Sequence, residues 1–89
     1  MKAIWKFPLQ LVDIQDVVMP KGAEILTVQV QKDDLCMWAA VDPREDTIAN
    51  TIFIHGTGHQ IEDFEKKKYI STFQIAEGDL IFHVFELLK

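Results

Sequence analysis

Apolar and polar side chains alternate with a period of two along most of this chain, and proline, glycine and clustered charge break the alternation at short intervals. In the first such stretch Ala3, Trp5, Phe7 and Leu9 share one face while Lys6, Pro8 and Gln10 share the other, the pattern of a half-buried strand. Pro8 has no amide to donate, which places it at a sheet edge or a strand end. Gln15 to Met19 reads as a short strand stopped by the turn signal Pro20-Lys21-Gly22. From Ala23 to Gln31, Leu26, Val28 and Val30 oppose Thr27, Gln29 and Gln31, so one face of this strand is wet. Lys32-Asp33-Asp34 makes a hairpin turn. Leu35 to Val41 returns with apolar side chains on both faces, which predicts a central strand or one covered by another subunit.

The polar run Asp42-Pro43-Arg44-Glu45-Asp46 is a loop, because Pro43 disfavours helix at Asp42 and the charges favour water. Extended structure resumes from Ile48 to His55. Ile61 to Lys68 is charged, holding one helical turn or none, and its basic run Lys66-Lys67-Lys68 reads as a solvated loop. Tyr69, Ser71, Phe73 and Ile75 then share a face, Ala76 to Asp79 turns the chain, and Leu80, Phe82 and Val84 oppose Ile81, His83 and Phe85. About seven short strands with little helix predict an all-β fold, a small antiparallel sandwich or barrel.

A chain of 89 residues leaves room for one core, so residues 1–89 are expected to form a single domain. Apolar residues make up 48%, enough to fold, but a core this small supplies only a few kcal/mol and Cys36 has no partner for a disulfide. Homo-oligomerisation is therefore expected. A net charge of −5 argues against binding polymeric nucleic acid. No apolar run approaches the roughly 18 residues of a membrane span, the first residues lack a signal-peptide apolar region, and a lone cysteine suits a reducing compartment, so a cytosolic location is expected.

Candidate chemistry centres on Phe53-Ile54-His55-Gly56-Thr57-Gly58-His59. Either glycine is free to take positive φ, which would let backbone amides converge on an anion, while Thr57 adds a hydroxyl and His55 and His59 add imidazoles. The competing reading is a plain turn. No lysine followed by serine or threonine and no helix start make it a phosphate loop of the nucleotide-hydrolase kind. His55 and His59 with glycines between them, and no second cysteine nearby, do not make a metal set, and His83 reads as a packed histidine. The carboxylates lie in polar loops beside other charges, so none has the apolar setting that general-acid work requires. No catalytic residue and no cofactor is expected. Trp5, Phe7 and Trp38 exceed what a small core needs, which leaves them as core, subunit contacts or surfaces on which a base stacks.

Taken in order, WKFPL, MPKGAEILTVQVQ, VDP, GTGH, YISTFQ and FHVFEL resemble a family of short bacteriophage proteins of uncharacterised function, over nearly the whole chain. In that pattern an aromatic or apolar residue precedes GTGH and a proline follows it, places held here by His55 and Gln60. The resemblance implies phage origin, and small phage proteins are often counter-defence factors, several unrelated families of which bind a host nucleotide signal without cleaving it. A sponge of this kind in the host cytosol is the expectation, with Lys21, Thr57 and His59 holding phosphate, Gly56, Gly58 and His55 completing the loop, and Trp5 or Trp38 stacking a base. The alternatives are an inhibitor docking on a host defence protein, a small phosphodiesterase, or a virion component.

Overall fold

The computed structural model describes residues 1–89. Seven strands carry the chain: β1 (Ala3–Pro8), β2 (Ile14–Pro20), β3 (Glu24–Gln31), β4 (Asp34–Val41), β5 (Thr47–Gly56), β6 (Lys67–Ile75) and β7 (Leu80–Leu87). Single 3-10 turns occupy Phe64–Lys66 and Ala76–Gly78. The strands form two sheets, β1-β4-β3 and β2-β5-β7-β6, with every neighbouring pair antiparallel. Two separate sheets across one core make the fold an all-β sandwich. No helix is long and apolar enough to cross a membrane.

Each element follows from local chemistry. Pro8 and Pro20 sit on the edge strands β1 and β2, where a missing amide costs no ladder bond. Strand β4 is central in its sheet and buries Met37, Ala39 and Val41 without exposure. From the facing sheet, Ile52 and Ile54 of β5, Phe73 of β6 and Val84 of β7 complete the core. Turn chemistry fits as well: Ala23 donates its amide to the Pro20 carbonyl at 3.1 Å, and Gly22 between them takes φ 83°.

The structure corrects the sequence reading in four places. Asp34 belongs to β4, where it pairs with Gln31, so the hairpin turn is only Lys32 and Asp33, with Lys32 at φ 55°. Lys67 and Lys68 open β6 instead of lying in a loop, paired with Leu87 and Glu86. A bulge in β3 falls between Ile25 and Thr27, so Ile25 enters the core while Leu26 is left 43% exposed. A second bulge in β6 falls between Tyr69 and Ser71, which turns Tyr69 away from the face that carries Phe73. Each bulge adds one residue on one strand and so reverses the parity of everything before it.

The two bulged strands lie against each other and join the sheets. Ser71 donates its hydroxyl to the Val28 carbonyl at 2.8 Å, and its Oγ lies 3.4 Å from Thr27 Oγ1. Both strands are sheet edges with carbonyls that no ladder partner satisfies, and this bond satisfies one of them in a part-buried place. Replacing Ser71 by Ala is therefore expected to cost about 1–2 kcal/mol in urea unfolding, because it strands the Val28 carbonyl, while Thr27→Val should cost less than half as much.

Candidate functional site

The four concave surfaces lie at the two ends of the sandwich, and they differ in chemistry. At one end the segment Gly56-Thr57-Gly58-His59 leaves β5 beside the β6–β7 turn. A groove of about 370 Å³ there is lined by Gly56, Thr57, His59 and residues 79–82, and a smaller one of about 250 Å³ by Leu11, Val12, Asp13, Ile54, Gly56, His59 and Phe82. The His59 ring stands between them and lies on Gly56, where an added Cβ would meet its Cε1 at 3.0 Å. At Gly56 a side chain would have to displace the His59 ring, whereas Gly58 is the residue at positive φ, 89°.

The amides of this loop do not converge. Thr57 donates its amide to the Ile81 carbonyl at 3.4 Å and His59 donates to the Gly56 carbonyl at 3.1 Å. Each groove also carries a carboxylate, Asp79 or Asp13, and neither has a lysine or arginine. A phosphate has little to hold it here.

His55 and His83 are direct cross-strand partners on the outer face of β5 and β7. Both ring nitrogens of His83 are engaged: Nε2 lies 2.6 Å from Thr57 Oγ1, and Nδ1 lies 3.0 Å from Thr72 Oγ1, which is 2.7 Å from Tyr69 Oη. His83 is thus a packed histidine, satisfied by threonine hydroxyls. His55 stacks on Phe53 with ring centroids 6.2 Å apart and meets Phe85 edge-on at 5.7 Å, and its Nε2 is buried without a partner. Burial first, and the Lys67 ammonium second, hold its pKa below the ordinary 6.5. No group of three His, Cys, Asp or Glu side chains gathers to hold a metal ion.

The groove at the opposite end is lined by lysines. Lys21, in the β2–β3 turn, lines a groove of about 380 Å³ together with Lys68, Lys89, Asn50 and Glu86, under an apolar wall that includes Ala23, Ile48, Leu87 and Leu88. Three ammonium groups face one carboxylate, and none is within 4.0 Å of any acid, since Arg44–Asp42 is the protein's sole ion pair. Lys89 donates to the Ala49 carbonyl at 3.2 Å. Burial raises the Glu86 pKa against the opposing pull of Lys68 and Lys89, so part of this groove is withdrawn from solvent.

The proposed set of ligand residues is thereby divided. Gly56, Thr57, Gly58 and His59 stay together, but His55 faces outward from the sheet. Lys21 lies at the far end of β5, since Pro20 pairs with Thr47 while the loop follows Gly56, about 30 Å away at ~3.3 Å per residue. Trp5 faces Phe7 on the inner side of β1, and Trp38 lies on the outer side of the same sheet opposite Lys6 and Thr27. Neither tryptophan lines either end groove, so neither is placed to stack a base there. Asn50, Lys68, Glu86 and Lys89 had no signal in the sequence, because strand pairing alone gathers them.

Comparison with known proteins gives one match: the family described as Domain of unknown function (DUF7352) matches residues 1–89. No curated protein and no solved structure matches.

The orphaned His55 generates a prediction. Its depressed native pKa means that the unfolded chain takes up the proton first as pH falls through about 6.5, so native stability is full above that value and declines below it. His55→Phe removes both the orphan and the titration. It is expected to raise stability by about 1 kcal/mol at pH 7 and to reduce the loss between pH 7 and 5, measured by denaturant unfolding at each pH.

Proposed function

We propose, for a chain that belongs to the DUF7352 family, that it is a non-catalytic binding module whose Lys21 groove holds a phosphate-bearing small molecule. The observation that carries this reading is the gathering of three unpaired ammonium groups around one concavity in a protein of net charge −5. The three ammonium groups of this lining draw an anion into the groove. The aliphatic wall of Ala23, Ile48, Leu87 and Leu88 accepts the apolar face of a base or ribose. The phosphate thus moves from the glycine-histidine loop to the lysine end, and Lys21 is the residue common to both readings.

The resemblance to short phage proteins supports a counter-defence setting in which the protein sequesters a nucleotide-derived immune signal in the host cytosol. Its analogy is with unrelated sponge families that bind such signals intact. One feature supports binding over turnover: the His55 ring is packed among phenylalanines with its Nε2 buried, so it is not free to pair with a nucleophile.

Calorimetry with pyrophosphate, ADP-ribose and cyclic dinucleotides tests the reading. Lys21→Ala and Lys68→Ala should each weaken binding by about 1 kcal/mol, roughly fivefold in Kd, Glu86→Gln should strengthen it, and His59→Ala should leave it unchanged. Ligand released by heating should be chemically intact. Degraded ligand would make the protein an enzyme, and loss of binding in His59→Ala with none in Lys21→Ala would return the site to the glycine-histidine loop.

A further inference from the structure

The hydrogen bonds that satisfy His83 at rest also form an ordered line. Tyr69 Oη lies 2.7 Å from Thr72 Oγ1, Thr72 Oγ1 lies 3.0 Å from His83 Nδ1, and His83 Nε2 lies 2.6 Å from Thr57 Oγ1. The line starts on β6, crosses β7 and ends in the loop that leaves β5. Strand register fixes its middle, because Thr72 and His83 are direct partners on the β6–β7 ladder. The two distances at the ring assign its tautomer. The 3.0 Å contact at Nδ1 has the length of an N–H donating to oxygen, whereas 2.6 Å at Nε2 is below the roughly 2.7 Å at which such bonds begin. Thr57 therefore donates its hydroxyl to Nε2, and Nδ1 donates to Thr72. The Ile81 carbonyl, 3.4 Å from the same hydroxyl, is the weaker acceptor. A hydroxyl, an imidazole that takes its proton and a group that orients the imidazole are the parts of an activated nucleophile.

The surroundings of Thr57 select what its hydroxyl attacks. Gly58, the next residue, donates its amide to no acceptor in the protein, and an amide directly after a nucleophile is placed to donate to a carbonyl oxygen as negative charge develops on it. Thr57 also lines the groove of about 370 Å³, whose wall of Leu80, Ile81 and Phe82 suits an apolar acyl chain. Asp79 in the same lining, with no ammonium group beside it, repels a phosphoryl group. We propose that Thr57 is a self-acylating residue that takes an acyl group from an uncharged carboxylic ester, with His83 as its base. Thr57 Oγ1 forms a bond to the carbonyl carbon while its proton passes to His83 Nε2. The bond from that carbon to the alcohol oxygen then breaks, and the proton leaves on the alcohol. The products are acyl-Thr57 and the free alcohol, so no further reactant is consumed. Thr72 and Tyr69 are positioning residues that hold the ring as the Nδ1–H tautomer. This site lies at the other end of the sandwich from the lysine groove and does not rest on phosphate binding there.

Incubation of the full chain with p-nitrophenyl acetate tests the assignment. Peptide mass spectrometry should place an acetyl group on Thr57, and neutral hydroxylamine should remove it, as it removes an ester but not a lysine amide. Thr57→Ser should keep the reaction and Thr57→Ala should lose it, at an exposed position where neither change disturbs the fold. His83→Gln should slow acetylation of Thr57 about 100-fold, the lower end of what a positioned base contributes. Thr72→Val should slow it severalfold and shift the His83 nitrogen-15 resonances away from the Nδ1–H pattern expected of wild type, a change that lost packing alone does not produce. Acetyl groups confined to lysines, or Thr57 acetylated as fast in His83→Gln as in wild type, would overturn the proposal. Wild-type nitrogen-15 shifts that put the proton on Nε2 would overturn it as well.

Discussion

The seam between β3 and β6 is the constraint from which the rest of the molecule follows. Each sheet ends in an edge strand with unsatisfied backbone groups, and the Ser71 hydroxyl on the Val28 carbonyl ties one edge to the other in a part-buried setting. The tie also sets direction. Ser71 meets Thr27 and Val28, and three residues earlier Lys68 shares a groove with Ala23, so β3 and β6 begin at the same end of the sandwich. Lys21, Lys68 and Lys89 come together because of that alignment and because β7 returns beside the start of β6. The basic groove is thus a product of topology, built from residues far apart in the chain.

Much of the fold was legible in the alternation itself. The seven strands stand close to where hydrophobic period and turn chemistry place them, with Pro8 and Pro20 on edges and β4 in the centre of its sheet. What alternation cannot register is a bulge. One extra residue in β3 moves Ile25 into the core and Leu26 out of it, and one in β6 separates Tyr69 from Ser71, yet neither leaves a mark in composition. Lys67 and Lys68 escaped notice for a different reason. Their charges resemble a loop, but Lys67 places its ammonium 4.0 Å from the centre of the Phe53 ring and so lies flat on a sheet.

The site was less legible than the fold. A glycine-histidine segment draws attention in a sequence because it is compact and polar, and here its polarity is largely spent: Thr57 and His59 close the turn, Thr57 and Thr72 satisfy His83, and His59 covers Gly56. Anion recognition needs unspent charge, and the unspent charge lies at the other end of β5. The sandwich therefore has a structural pole, where hydrogen bonds close upon themselves, and a chemical pole, where Lys21 and Lys68 have no partner within the protein.

A two-dimensional NMR titration with pyrophosphate distinguishes the poles most directly. The account predicts saturable shifts confined to the amides of Lys21, Gly22, Asn50, Lys68 and Glu86, with Gly56 to His59 unmoved. Shifts centred on Gly58 and His59, with the lysine end silent, would contradict it.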